Sequence, residues 1–256
     1  MNRIFWDIET APNIGTFWKA GYKIRIPHDN ILQEKEIICI CWKREGVKKV
    51  HHLEWDWKKL GNNQADKKMI KEFAKVVADA DELVAHNGDR FDMAWVKARA
   101  LIHGVDLFPF QKTVDTLAWS RKLYFNSHRL DYLGKHLLGE GKIDTSYGMW
   151  KEIMLNNSKK AMADMVKYCK KDVVLLEKVY HELLKFNKPK THVGVLHGGE
   201  RWSCPYCGSE DVLRNRKTVT AAGTIQHTMK CKSCGKYHTI NNKVYNDYLE
   251  AKKSSK

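Results

Sequence analysis

Apolar residues run together or alternate with polar ones in three short stretches early in the chain. Residues 3–7, 37–42 and 48–53 each read as a β-strand, and the three suit an antiparallel meander. Residues 11–35, between the first two, show no assignable period. From Asp66 the spacing of Met69, Ile70, Phe73, Val76 and Val77 predicts a helix, and 82–86 resumes a short strand. A helix over 91–103 stops at Gly104, Val114 lies in another strand, and a helical patch follows over 115–124. Leu130, Leu133, Leu137 and Leu138 mark a further helix. The longest helix starts at Asn157 and Ser158, good capping residues, and continues to about Phe186. Strands first, then strands alternating with helices, predict an α/β domain.

One stretch breaks its apolar context. In Ile4-Phe5-Trp6-Asp7-Ile8-Glu9-Thr10 the two acids lie two residues apart, so an extended strand projects both from the face that carries Phe5. Like charges on a buried strand must meet solvent, a cation or a bound metal, and a hard divalent cation suits oxygen donors. Alone, the pair also fits a strand emerging at a solvated edge. Asp92 opens a helix, where an acid is favoured by the helix dipole, and Asp89 reads as a turn residue. Tyr168 and Asp172, four apart on the longest helix, share one face.

Beyond Phe186 the character changes. Residues 187–200 read as a linker, and 201–256 as a small β module ending in a basic polar tail, 251–256. Of the seven cysteines, Cys39, Cys41 and Cys169 sit in apolar patterns and read as small core residues. The other four form Cys204-Pro205-Tyr206-Cys207 and Cys231-Lys232-Ser233-Cys234, each followed by a glycine. Two such C-x-x-C knuckles predict a closed tetrahedral site for one structural Zn²⁺, with no need of His227 or His238.

Charge points to the partner. The 256 residues carry a formal net charge of +15, which favours a polyanion, most often nucleic acid. Residues 191–256 hold 11 Lys or Arg against 5 Asp or Glu, with Arg214, Arg216 and Lys217 between the knuckles. The module is therefore expected to grip nucleic acid, with protein docking as the other reading. No apolar run suits a membrane span and no signal peptide opens the chain, so a cytoplasmic location is expected.

As a set, Phe5-Trp6-Asp7-Ile8-Glu9-Thr10, the segment from His86-Asn87 to Phe91-Asp92, and Tyr168 to Asp172 resemble the three motifs of the DnaQ-like, or DEDD, superfamily of 3′-to-5′ exonucleases. The Tyr-x-x-x-Asp spacing is similar to the DEDDy branch; the DEDDh branch would have a histidine where this chain has Lys167. Residues 113–117 and 127–133 resemble the segment that connects the motifs. The resemblance covers residues 1–186 and implies a ribonuclease-H-like mixed sheet flanked by helices, to which the C-terminal zinc ribbon is an addition. It also implies hydrolysis of phosphodiester bonds with two Mg²⁺ or Mn²⁺. Asp7, Glu9 and Asp172 would hold one ion, Asp7 and Asp92 the other, and Tyr168, a neutral phenol, would orient water. By the same analogy Thr10 and Asn87 would hold the 3′-terminal nucleotide, and Phe17 and Trp18 either stack on its base or pack. Single-stranded DNA is the favoured substrate, since enzymes of this look serve replication or repair and include stand-alone phage proteins resembling proofreading domains, which would act in the host cytoplasm. RNA stays open, as do a nucleic-acid-binding adaptor with little catalysis and a replication or repair protein docked on the ribbon.

Other conspicuous residues carry bland expectations. His51 and His52 are expected at the surface and in the core respectively, and Trp55 and Trp57 in packing. His192 and His197 have no expected role, and Lys170 and Lys171 read as solvated charge with substrate phosphate as the alternative.

Overall fold

Residues 1–19, 21, 23–107, 112–142 and 146–254 are described by a computed structural model, in which the chain forms two compact units: Asn2–Leu183, and Leu184–Lys256 together with Met1. The first runs β1 (Arg3–Thr10), β2 (Ile14–Gly15), β3 (Ile31–Gln33), β4 (Ile37–Arg44), β5 (His51–Glu54), α1 (Lys67–Val77), β6 (Glu82–Ala85), α2 (Asp92–His103), β7 (Thr113–Asp115), α3 (Thr116–Ser120), α4 (Leu130–Leu138), α5 (Tyr147–Asn156) and α6 (Lys159–Leu183). The main sheet has the order β5-β4-β1-β6-β7. β1 pairs antiparallel with β4 and β4 with β5, so the expected meander forms, while β1–β6 and β6–β7 are parallel.

Alternation along β1 divides its side chains between two layers. Ile4, Trp6 and Ile8 enter a core with Met69 and Phe73 of α1 and Met93 and Val96 of α2. On the opposite face Phe5 meets Tyr180 of α6 edge-on at 5.2 Å. The result is the mixed sheet flanked by helices that the resemblance implies, with Asp7 and Glu9 directed to the α6 side.

The departures from expectation have local causes. β2 and β3 are too short to leave a period within 11–35. α5 shows little apolar stripe, because Ile153 is its one buried residue. Asn157, with φ 50°, ends α5 in the left-handed conformation, and the Ser158 hydroxyl accepts from the Ala161 N–H at 3.2 Å to open α6. The patch expected over 115–124 is helical only through Ser120. His52 is not in the core: β5 is an edge strand, both histidines are exposed, and His51 stacks on Trp42 at 5.4 Å. Trp55 is buried, edge-on to Trp57, as expected of packing residues.

Buried ion pairs lock the layers. Arg3 donates to Glu82 at 2.8 Å, joining the first residues of the parallel strands β1 and β6. Arg99 of α2 grips both oxygens of Asp66 at 2.7 and 2.8 Å and reaches Glu36 at 3.2 Å; His103 lies 2.6 Å from the same Asp66. Asp66 also accepts from the Ile37 N–H at 3.0 Å, so one carboxylate ties the starts of α1 and β4 to α2.

The second unit holds α7 (Val193–Leu196), β8 (Val212–Val219), β9 (Ile225–Cys231), β10 (Tyr237–Asn241) and α8 (Asn242–Ser254). Its antiparallel sheet has the order β10-β9-β8, with Val244 and Tyr245 of α8 packed beside Trp202, Met229 and Ile240. The expected linker 187–200 is instead folded into this unit: Val193 N–H donates to the Pro205 carbonyl at 3.1 Å, and a Cβ on Gly194 would lie 2.0 Å from the Ser203 hydroxyl. Residues 251–254 of the expected polar tail continue α8; Ser255 and Lys256 lie outside the described residues. Among the described residues no helix is long and apolar enough to cross a membrane.

Replacing Arg99 by leucine strands Asp66 and Glu36 as buried charges. Arg99→Leu should therefore cost about 3–5 kcal/mol in urea denaturation, whereas a loss under about 1 kcal/mol, the scale of surface pairs, would show that the network does not hold α2.

Candidate active site and cysteine cluster

β6 stops at Ala85, and its register with β1 covers only Arg3, Ile4 and Phe5. The end of β1 therefore projects past its parallel neighbour, and the Ile8 N–H is taken by the Asp92 carboxylate at 3.1 Å. That bond brings the first residue of α2 to the acidic pair. From the opposite layer α6 contributes Tyr168 and Asp172, and Asp172 and Asp92 are both buried. Asp7, Glu9, Asp92, Tyr168 and Asp172 thus meet where the strand ends.

Segments outside the motifs hold this corner. The Asn87 backbone, at φ 69°, donates to Asp115 at 3.0 Å, and Asp115 also caps α3 through the N–H groups of Leu117 and Ala118. His86 bridges the Thr116 hydroxyl and the His128 carbonyl, each at 2.9 Å, and burial lowers its pKa to about 4, so it is neutral. Residues 113–117 and 127–133 therefore fix the turn that precedes Asp92.

Burial dominates the electrostatics of the site. Burial, and then the neighbouring Asp92, Glu9 and Asp172, push the Asp7 carboxyl well above the ordinary range. Burial likewise raises Glu9 to about 8 and Asp92 to about 7, and lifts Asp172. The Tyr168 phenol, pushed up to about 12 chiefly by burial, stays protonated. Lys142, which no sequence signal marked, supplies local positive charge: it is paired with Asp172 and lies 3.4 Å from the Tyr168 hydroxyl. Its backbone N–H donates to Asp131 at 2.8 Å. Cys169 is buried in the core as expected and also borders the acids, its Sγ 3.5 Å from the Asp7 carbonyl and 3.6 Å from the Asp7 carboxylate. Cys39 and Cys41 sit behind it, all three buried.

This donor set fits hard divalent cations. All four acids offer oxygen, Asp7 and Glu9 bring carboxylate oxygens within 4.8 Å of each other, burial raises the pKa of all four, and Asp172 Oδ1 is buried with no hydrogen-bond partner among the described residues.

Beside Thr10 is a hollow of about 420 Å³ lined by Lys35, Trp95, Tyr147 and Trp150, and the Trp150 indole N–H donates to the Thr10 carbonyl at 3.1 Å. Its aromatic lining comes from α2 and α5, and sequence pattern gave no sign of it. Phe17 and Trp18 are exposed, so the packing alternative for them does not hold. Lys170 and Lys171, with Lys159 and Lys167, line a groove of about 1150 Å³ along α6.

In the second unit the four expected cysteines converge. Sγ of Cys204 lies 3.6 Å from Cys234 and that of Cys207 3.7 Å from Cys231, with all four sulfurs within 4.8 Å. A tetrahedron with Zn–S bonds near 2.3 Å has edges of about 3.8 Å, so the cluster fits Zn²⁺. Gly208 and Gly235, at φ 78° and 73°, close the two knuckles. Neither histidine joins it: His227 stacks on Tyr245 and pairs with Asn242, and His238 lies 3.2 Å from the Trp202 carbonyl. Arg214, Arg216 and Lys217 lie exposed along β8, the Arg214 guanidinium 5.3 Å from the Tyr245 ring centre.

Comparison with known proteins gives three findings. A stretch of 66 residues is 30% identical to a DNA polymerase of Methanocaldococcus jannaschii, covering 26% of this chain and 4% of that protein. The family B DNA polymerase from the hyperthermophilic archaeon Pyrobaculum calidifontis superposes on 72% of this chain with a TM-score of 0.52 and 16% identity, a likeness of fold that takes in 25% of that chain. The RNase_H_2 family model, of the RNase_H superfamily, matches residues 37–184, which include Asp92, Tyr168 and Asp172 and begin after Asp7 and Glu9. That match spans more than half of the sequence, and with the mixed sheet described above it places this chain in the RNase H superfamily.

Proposed function

We propose that the first unit is a 3′-to-5′ exonuclease of the DEDDy type that hydrolyses single-stranded DNA. Family membership and the polymerase-like fold support nuclease-type chemistry. The observation that carries the finer reading is the meeting of Asp7, Glu9, Asp92, Asp172 and Tyr168 at one strand end, with carboxyl pKa values raised chiefly by burial.

Asp7, Glu9 and Asp172 would hold one Mg²⁺ or Mn²⁺ and Asp7 and Asp92 another. The pair would supply hydroxide near neutral pH and offset charge on the leaving 3′ oxygen. Tyr168 keeps its proton and donates a hydrogen bond that orients the attacking water. Trp95, Tyr147 and Trp150 offer an unstacked terminal base a place beside Thr10, which favours a single-stranded end over a duplex. Asn87 lies at the turn before Asp92, close to that end. In the second unit Cys204, Cys207, Cys231 and Cys234 would hold one structural Zn²⁺.

Digestion of end-labelled strands tests the activity. Mononucleotides should be released from a free 3′ end of single-stranded DNA, and a circular strand should resist; internal cuts in the circle, or a clear preference for RNA, would contradict the polarity or the substrate. Asp172→Asn should lower kcat about 10²–10³-fold, the scale of losing one strong electrostatic group. Tyr168→Phe should lower it roughly 10- to 100-fold, less than a full general acid or base, with metal binding kept.

The pH dependence has a definite sign. Carboxyls whose folded pKa exceeds the unfolded value contribute stability below about pH 4 and lose it as pH rises through about 7 for Asp92 and about 8 for Glu9. Without divalent metal the melting temperature should fall between about pH 5 and pH 8.5. Millimolar Mg²⁺ should restore about 5 °C or more at the higher pH and little at the lower. An equal Mg²⁺ effect at both, or none, would contradict the metal assignment.

A further inference from the structure

The second unit carries a hollow that neither the cysteine cluster nor the β8 cations account for. It encloses about 500 Å³ between residues 185–192, the first knuckle and β10. Its wall is aromatic: Phe186 is 78% exposed, Tyr237 is 49% exposed, and Tyr206 is held by a hydrogen bond from its hydroxyl to the Asn187 carbonyl at 3.4 Å. Its rim is cationic, with Lys185, Lys188, Lys190 and Arg201 and no Asp or Glu among the lining residues. Lys236 lies 4.7 Å from the Tyr206 ring centre and Lys230 5.8 Å from that of Tyr237, so positive charge borders the rings as well.

Exposed rings in a concave surface lined by Lys and Arg and by no Asp or Glu suit a partner that is both flat and anionic. The bases of a single strand supply flat faces at every residue and its phosphates supply the charge, whereas a duplex hides its base faces in the stack. A purely acidic peptide would use the cations and leave the rings in water. The β8 cluster is separate, since Arg214, Arg216 and Lys217 lie on the far edge of the sheet from β10 and do not line this hollow.

We propose that this hollow is a binding site for single-stranded nucleic acid, with bases stacked on Phe186 and Tyr237 and the backbone held by Lys188, Lys190 and Arg201. The inference deepens the reading of nucleic acid as substrate and rests on it for the choice of partner. The second unit would hold a strand through sequence-tolerant stacking, a contribution that helps long substrates and not trinucleotides.

The test uses the whole 256-residue chain loaded with zinc and a fluorescein-labelled oligothymidylate of about twenty nucleotides, with no Mg²⁺ or Mn²⁺ added. The variant combining Phe186→Ala and Tyr237→Ala should bind about 5- to 100-fold more weakly, and Tyr237→Phe, which keeps its ring, should bind like the parent. Affinity for a strand of abasic residues should be unchanged by the ring substitutions. Combining Lys188→Gln with Arg201→Gln should flatten the salt dependence by about 0.7 per cation removed. Unaltered zinc content and melting temperature confirm that each variant is folded. The proposal is overturned if the ring variant binds like the parent while Arg216→Gln with Lys217→Gln loses binding, which would move the surface to β8. It is equally overturned if polyglutamate competes as well as DNA, which would make the partner an acidic protein. Trinucleotide hydrolysis separates the two readings: hydrolysis with ring-independent binding leaves the exonuclease standing and removes the hollow, and ring-dependent binding without hydrolysis does the reverse.

Discussion

Like charge held out of water is the constraint around which the first unit is organised. Four carboxyl groups converge at the end of β1, and burial lifts their pKa values, with mutual repulsion adding to it at Asp7 and Glu9. A folded chain keeps such a group only with compensation. Lys142 against Asp172 is one local compensation, and the Ile8 N–H on Asp92 and the Cys169 thiol on Asp7 are weaker ones. Ionising all four calls for positive charge beyond that of Lys142, which divalent cations suit. The feature that makes the site costly to fold is thus the one that prepares it to hold metal.

Rigidity at that corner is supplied from a distance. Asp66 and Arg99 fix α2 to the starts of α1 and β4, Asp115 and His86 fix the turn before α2, and Arg3 with Glu82 sets where β1 and β6 run together. Each is a buried or partly buried polar contact whose partners lie far apart in the chain. They tie down the elements that carry the carboxylates.

Local signals made the motifs legible, and tertiary placement hid the rest. Strand alternation put Asp7 and Glu9 on one face, four-residue helical spacing put Tyr168 beside Asp172, and knuckle spacing paired the cysteines; each rule acts over a few residues. Lys142 follows α4 in a loop with no period, its backbone held by Asp131 and its ammonium paired with Asp172. Cys169 is in the core as its helix spacing indicated, but that spacing could not show that its neighbour there is Asp7. The hollow beside Thr10 draws on α2 and on α5, whose stripe was too thin to read. His52 was misplaced because alternation presumes one covered face, and both histidines of edge strand β5 are exposed. Residues 187–200 looked like a linker by composition, but Gly194 allows them to approach Ser203 closely.

Cation demand at the four carboxylates is the central claim, and calorimetric titration of the zinc-loaded protein with Mn²⁺ near neutral pH, in buffers of different ionisation enthalpy, addresses it directly. Because Glu9 and Asp92 are held near pKa 8 and 7, metal must displace protons as it binds. The account predicts saturable uptake of about two Mn²⁺ per chain with net proton release, both reduced by Asp172→Asn. Absence of saturable uptake, or uptake with no proton release that Asp172→Asn leaves unchanged, would contradict it.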